Sequence, residues 1–175
     1  MEILWHELSF GVPESDTFER VLIRLIAAAI LGGAIGVERQ RAGKSAGLRT
    51  HMLVTVATTT LLLACTEFHM TSDGMSRVIQ GIVTGIGFLG AGTIIKLESE
   101  MDVKGLTTAA GIWMAAAIGA TVGLGALGIA VVSTILALLI LTVTVALDNW
   151  IGKGRVIKKR GRDNKVEEDK SAPPN

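Results

Sequence analysis

Little in this chain can support covalent or metal chemistry. Its only cysteine, Cys65, lies inside an apolar run, which excludes a disulfide framework and a cysteine-based metal site. Neither a nucleophile–base set nor a cluster of metal-ligating residues is visible, so no enzyme, no cofactor and no bound metal are expected. The N-terminus lacks a basic n-region and a cleavage site, and its first 19 residues carry Glu2, Glu7, Glu14, Asp16 and Glu19; no cleaved signal peptide is expected. There is no internal duplication, and no Asp or Glu lies deep in an apolar run. Ion carriers usually place acidic or polar groups there, and often use repeats.

What the chain does have is apolar length. Hydrophobic residues make up 49% of its 175 residues and charged residues only 19%. Mean hydropathy is +0.50, and the charges cluster between long uncharged runs, the membrane signature. The expected fold is an all-α integral membrane protein, a bundle of five transmembrane helices over residues 18–150. Residues 1–17 form an extracytoplasmic segment, either amphipathic at the membrane surface or loosely ordered. Residues 151–175 form a cytoplasmic tail, basic then acidic, too poor in apolar residues to build a core and expected to be disordered.

The expected spans are residues 18–37, 51–66, 77–95, 106–122 and 126–147. In the first, Arg24 lies within membrane depth, a turn from Arg20 on the same face. It either snorkels or pairs with Glu67 or Asp73. The second is rich in threonine (Thr55, Thr58, Thr59, Thr60), whose hydroxyls bond to their own helix or across to another. Gly74 reads as a breaker ahead of the third. The loop 96–105 carries Glu98, Glu100 and Asp102 and reads as solvated, with a hydrated Mg²⁺ as the sharper option. The charged loops 38–51 and 96–105, with the tail, hold 14 of the 17 Lys and Arg residues. With five spans, the positive-inside rule then puts the N-terminus outside and the C-terminus in the cytoplasm.

The third span is expected to organise the rest. QGIVTGIGFLGAGTII contains Gly81, Gly85, Gly87, Gly90 and Gly92, and in lipid glycines let helix backbones approach closely. At about 100° per residue, Gly81, Gly85, Phe88 and Gly92 share one face, with Gly87 and Gly90 nearly opposite. Grooves on two sides predict a central helix. Gly85-x-Gly87-x-x-Gly90 also satisfies a dinucleotide-binding pattern, but the strand before it and the soluble βαβ unit are missing. Gly43-Lys44-Ser45 resembles the end of a P-loop, yet Glu38 occupies the position that demands glycine.

Four segments carry a family resemblance: GGAIGVERQ (32–40), AGLRTHMLV (46–54), RVIQGIVTGIGFLGAGTI (77–94) and VKGLTTAAGIW (103–113). Together they resemble the MgtC/SapB family of bacterial inner-membrane proteins. The resemblance implies a five-span fold in the cytoplasmic membrane and a link to growth at low Mg²⁺ and survival inside host cells. It further implies a regulator that restrains the proton-translocating ATP synthase, with a small Mg²⁺ or other ion transporter or channel as the alternative. The chain is closer to the short SapB type, since its tail cannot be the folded C-terminal domain of many virulence-associated members. The family often has Asn where this chain has His51.

The candidate functional residues follow from these motifs. Glu38, Arg39 and Arg49 lie at helix ends, where they form either a binding surface or a set of orienting charges. His51 begins the second span, and Gln80, the one large amide of the third, is expected to make an interhelical hydrogen bond. Lys104, Thr107 and Thr108 cap the fourth helix, and Trp113 is expected to pack against the glycine grooves. The expected partners are the lipid bilayer and a membrane protein, with a homo-oligomer as a further option and no nucleic acid.

Overall fold

The structure, a computed structural model, describes residues 15–97 and 102–144. The expectations for residues 1–14, Glu98, Glu100 and the tail lie outside the described residues. The chain divides into two units, residues 1–137 and 138–175. Of the second, only the end of the last helix is described.

Five helices and one hairpin follow in order: α1 (Ser15–Arg41), α2 (Leu48–Glu67), α3 (Ser72–Gly92), β1 (Ile95–Leu97), β2 (Asp102–Lys104), α4 (Leu106–Gly123) and α5 (Leu127–Thr144). The loop 96–105 is therefore partly a hairpin, with Ile95 opposite Lys104, Lys96 opposite Val103 and Leu97 opposite Asp102. Gly74 does not break α3. Its N–H donates to the Thr71 hydroxyl at 3.2 Å, an N-cap that starts the helix.

Among the described residues four helices, α1, α2, α4 and α5, are long and apolar enough to cross a membrane, not five. The exception is the glycine-rich α3, where Asp73, Arg77, Gln80 and six glycines dilute the apolar content of 21 residues. The assignment of the two termini to opposite sides rested on the odd count and goes with it. Nor is α3 central. It buries only Ile86 and Gly90, and it is held along a narrow seam in which Ile86 packs with Ala46, Ile112 and Ala116.

The centre of the first unit is where α1, α2 and α4 meet. α1 turns Ala28, Gly32, Ile35, Gly36 and Arg39 inward, a spacing of three to four residues that puts them on one face. α2 answers with His51, Thr55, Thr58, Thr59 and Leu62, and α4 with Gly111, Ile112, Ala115, Gly119, Val122 and others. Small residues let these backbones touch. A Cβ on Gly36 would stand 2.6 Å from Leu48 Cα, and one on Gly123 would stand 2.8 Å from Leu62 Cβ. Gly32 and Gly119 are as tightly placed against Thr55. Thr59 Oγ1 ties the helices together by donating to the Gly119 carbonyl at 2.8 Å, while Thr55, Thr58 and Thr60 bond back to their own helix.

The glycines expected to pack behave differently. A Cβ added to Gly81, Gly85, Gly87 or Gly92 would meet nothing within 4 Å, and only Gly90 faces a neighbour, Ala109, at 3.6 Å. Close approach in this protomer belongs to α1 and α4.

Arg24 has a partner that neither sequence reading supplied. Its Nη1 donates to the Gly123 carbonyl at 3.1 Å, at the C-terminal end of α4. Free carbonyls and the negative end of the helix dipole attract a cation there.

Candidate functional site

Polar side chains are drawn into the core at the end of the bundle where α1 finishes and α2 and α4 begin. Arg39 is only 1% exposed although it sits in the last turn of α1. The tight crossing at Gly36 brings α1 so close to the start of α2 that the guanidinium is covered rather than released to water. Glu38 Oε2 lies 3.7 Å from Arg39 Nη1. Arg39 Nε and Nη2 are buried without a hydrogen-bond partner.

His51, in the first turn of α2, is fully buried. Its Nδ1 lies 2.9 Å from the Gly47 carbonyl, an acceptor, so Nδ1 carries the proton. Nε2 points inward and is unpartnered. The third wall is Gly111 of α4, where a Cβ would stand 3.1 Å from His51 Nε2 and 3.9 Å from Arg39 Nε. Thr108, one turn earlier on α4, is also buried.

The structure thus brings Glu38, Arg39, His51 and Thr108 to one end of the core. Arg49, Thr107 and Lys104 are exposed at the same end. Gln80 is elsewhere, exposed on α3 and 12 residues from its Gly92 end, a separation of about 18 Å at 1.5 Å per residue. Trp113 is 43% exposed. It lines an apolar cavity of about 230 Å³ with Ile79, Val83 and Ala120, where α3 and α4 splay apart. Sequence reasoning missed Gly111, because nothing in an Ala- and Gly-rich span marks which small residue faces a charge. Among the described residues no group of three or more His, Cys, Asp or Glu could hold a metal ion.

The exposed side of α3 is a second candidate surface. Asp73, Arg77, Gln80, Gly81, Thr84, Gly87, Phe88 and Ala91 all face outward and share one side at helical spacing. The helix presents Asp73, Arg77, Gln80 and its open glycines outward together with Phe88, which is 82% exposed, while Ile79, Ile82 and Ile86 turn toward the bundle.

Comparison with known proteins agrees with the pattern of motifs. Residues 25–150 match the model of the MgtC family. YhiD of Escherichia coli (strain K12) is 43% identical over 131 residues, covering 70% of this chain and 59% of YhiD. SrpB of Synechococcus elongatus is 38% identical over 142 residues, covering 75% of this chain and 78% of SrpB. MgtC of Salmonella typhimurium (strain LT2) is 42% identical over 117 residues, covering 67% of this chain and 49% of MgtC. The chain thus spans about three-fifths of YhiD and half of MgtC. No solved structure matches it significantly. With four apolar helices and these relatives, the chain is a multi-pass protein of the bacterial inner membrane. It belongs to the MgtC family.

Proposed function

We propose that this protein is a regulator in Mg²⁺ homeostasis that works by helix contact with another membrane complex, not by carrying the ion. The observation that carries this reading is the orientation of α3. Its outward face holds Arg77, Gln80, Thr84 and open glycines beside one large apolar side chain, Phe88, while its isoleucines face inward. α3 lies alongside α2 and α4, both apolar enough to cross a membrane. A face of this composition is costly against lipid and favourable against a second helix. Glycines permit close approach there, and an amide and a hydroxyl can hydrogen-bond across the contact. The ATP synthase is the complex to which the resemblance points.

The competing reading is ion transport. YhiD is described as a candidate magnesium transporter, and that description covers a longer chain. The charges buried in this core are a pair, the guanidinium of Arg39 with Glu38 Oε2 3.7 Å from it, not a cluster of carboxylates that would hold a divalent cation, and this supports the regulatory reading. Mg²⁺ flux into liposomes holding the purified protein, beside a known transporter, decides between the two. The regulator gives flux no higher than empty liposomes. Flux above that level, abolished by Gln80→Leu or Glu38→Ala, makes the protein a carrier.

A further inference from the structure

α3 meets the bundle along one narrow seam, and the side of it that faces α2 stays open. A groove of about 390 Å³ runs there between Val54, Ala57 and Leu61 of α2 and Val78, Ile82 and Leu89 of α3. A second groove, of about 300 Å³, continues it toward the start of α2 and shares Val54 and Leu89 with it. The lining changes along this path. Between Leu61 and Val54 the only hydroxyl is that of Thr58, already bonded to the Val54 carbonyl. Beyond Val54 the path reaches the hydroxyls of Ser45, Thr50 and Thr93.

Its length matches one membrane leaflet. From Thr50 to Leu61 α2 rises about 16.5 Å at 1.5 Å per residue, about half of the ~30 Å hydrocarbon core. α2 is apolar enough to cross the membrane and begins at Leu48, so the polar mouth lies at headgroup level and the apolar part at that of the acyl chains. The mouth is also cationic. Ser45 follows Lys44 and Thr50 follows Arg49 in sequence, and no acid lies between residues 39 and 51. Lys44 and Arg49 are exposed, and among the described residues neither makes an ion pair. The hydroxyls of Ser45 and Thr50 are likewise without a hydrogen-bond partner among the described residues. Two cations and two hydroxyl donors above an apolar groove complement a phosphodiester with an acyl chain below it.

We propose that the groove between α2 and α3 is a binding site for an anionic phospholipid. One acyl chain lies between the two helices, and Lys44, Arg49 and the hydroxyls of Ser45 and Thr50 hold the phosphate. At about 100° per residue, the side of α3 with Val78, Ile82 and Leu89 lies about 140° around the helix from the side with Arg77, Gln80 and Thr84. The inference therefore goes beyond the regulatory reading and does not depend on it.

The test is native mass spectrometry of the full chain in neutral detergent, titrated with phosphatidylglycerol or with phosphatidylcholine bearing the same acyl chains. One phosphatidylglycerol per chain is expected to be retained at least about fivefold more tightly than phosphatidylcholine, the factor that one cation near a membrane surface supplies. Lys44→Gln together with Arg49→Gln is expected to bring the two lipids level. Ala57→Phe fills the groove with the charges left in place and is expected to lower retention of both. Each variant is first shown to keep the wild-type unfolding midpoint. If Ala57→Phe does not, the double variant still decides, since it removes only exposed, unpaired side chains. Equal retention of the two lipids by the wild type means surrounding lipid only and overturns the proposal. So does a preference that the double variant leaves unmoved, or full retention in folded Ala57→Phe. A lipid-free dimer that Ala57→Phe dissociates gives the groove to a second copy of the chain and overturns it as well.

Discussion

Arg24 and Gly123, 99 positions apart, are joined by a hydrogen bond of 3.1 Å from the guanidinium to a helix-terminal carbonyl. The bond fastens α1 to the end of α4 at the opposite end of the unit from Arg39. It explains how a cation sits within an apolar span without a carboxylate beside it. The lone pairs at a helix C-terminus accept from it, and the helix dipole favours its charge. Arg24→Leu is expected to destabilise the folded protein by about 1.5–3 kcal/mol, the range for hydrogen bonds to charged groups. Unfolding in mixed micelles reads the loss, and an unchanged midpoint would show that the bond contributes nothing.

Thr59 and Thr60 are neighbours in sequence with opposite roles. Thr59 bonds across to Gly119 at 2.8 Å from a buried position, whereas Thr60 bonds back to Val56 and is exposed. Thr59→Val is expected to cost about 0.6 kcal/mol and at most about 1.7, the span measured for interhelical bonds in membranes. Thr60→Val should leave the unfolding midpoint in place. Equal effects at the two positions would contradict the assignment.

Glycines separate the fold from its contact surface. Gly36→Leu drives a side chain into the backbone of Leu48, 2.6 Å from its Cβ position, and is expected to abolish the folded protein, as overpacking of a close crossing does. Gly85→Leu meets open space. It is expected to yield normal expression and an unchanged unfolding midpoint, but to lose recovery of the partner complex on gentle solubilisation. Misfolding of the Gly85 variant would mean that the open face of α3 is needed within the protomer.

The apolar stretches were legible because charged loops bracket them; α4 was expected over residues 106–122 and runs Leu106–Gly123, whereas α3 was expected over residues 77–95 and runs Ser72–Gly92. Which glycines pack was not legible. Spacing puts Gly81 and Gly85 on one face, but no spacing says whether that face has a neighbour. In this protomer the neighbours went to Gly36, Gly119 and Gly123. The candidate site was half legible. GVERQ and GLRTH marked Glu38, Arg39, Arg49 and His51 as one region. The burial of Arg39 beside the exposure of Arg49 depends on the crossing at Gly36, which only the folded chain displays. The hairpin between Ile95 and Lys104 escaped because its ladder is made of backbone groups, while its side chains read as a charged loop.

The outward face of α3 is the centre of this account, and in-cell photocrosslinking tests it most directly. A photoreactive residue at position 84 or 88 on that face should give adducts with a larger membrane protein, identified by mass spectrometry. The same group at Ile23 or Ile30, exposed on α1 at 56% and 64%, should give lipid adducts only. If positions 84 and 88 yield lipid alone, or only a second copy of this chain, the claim that α3 docks on another membrane complex is contradicted.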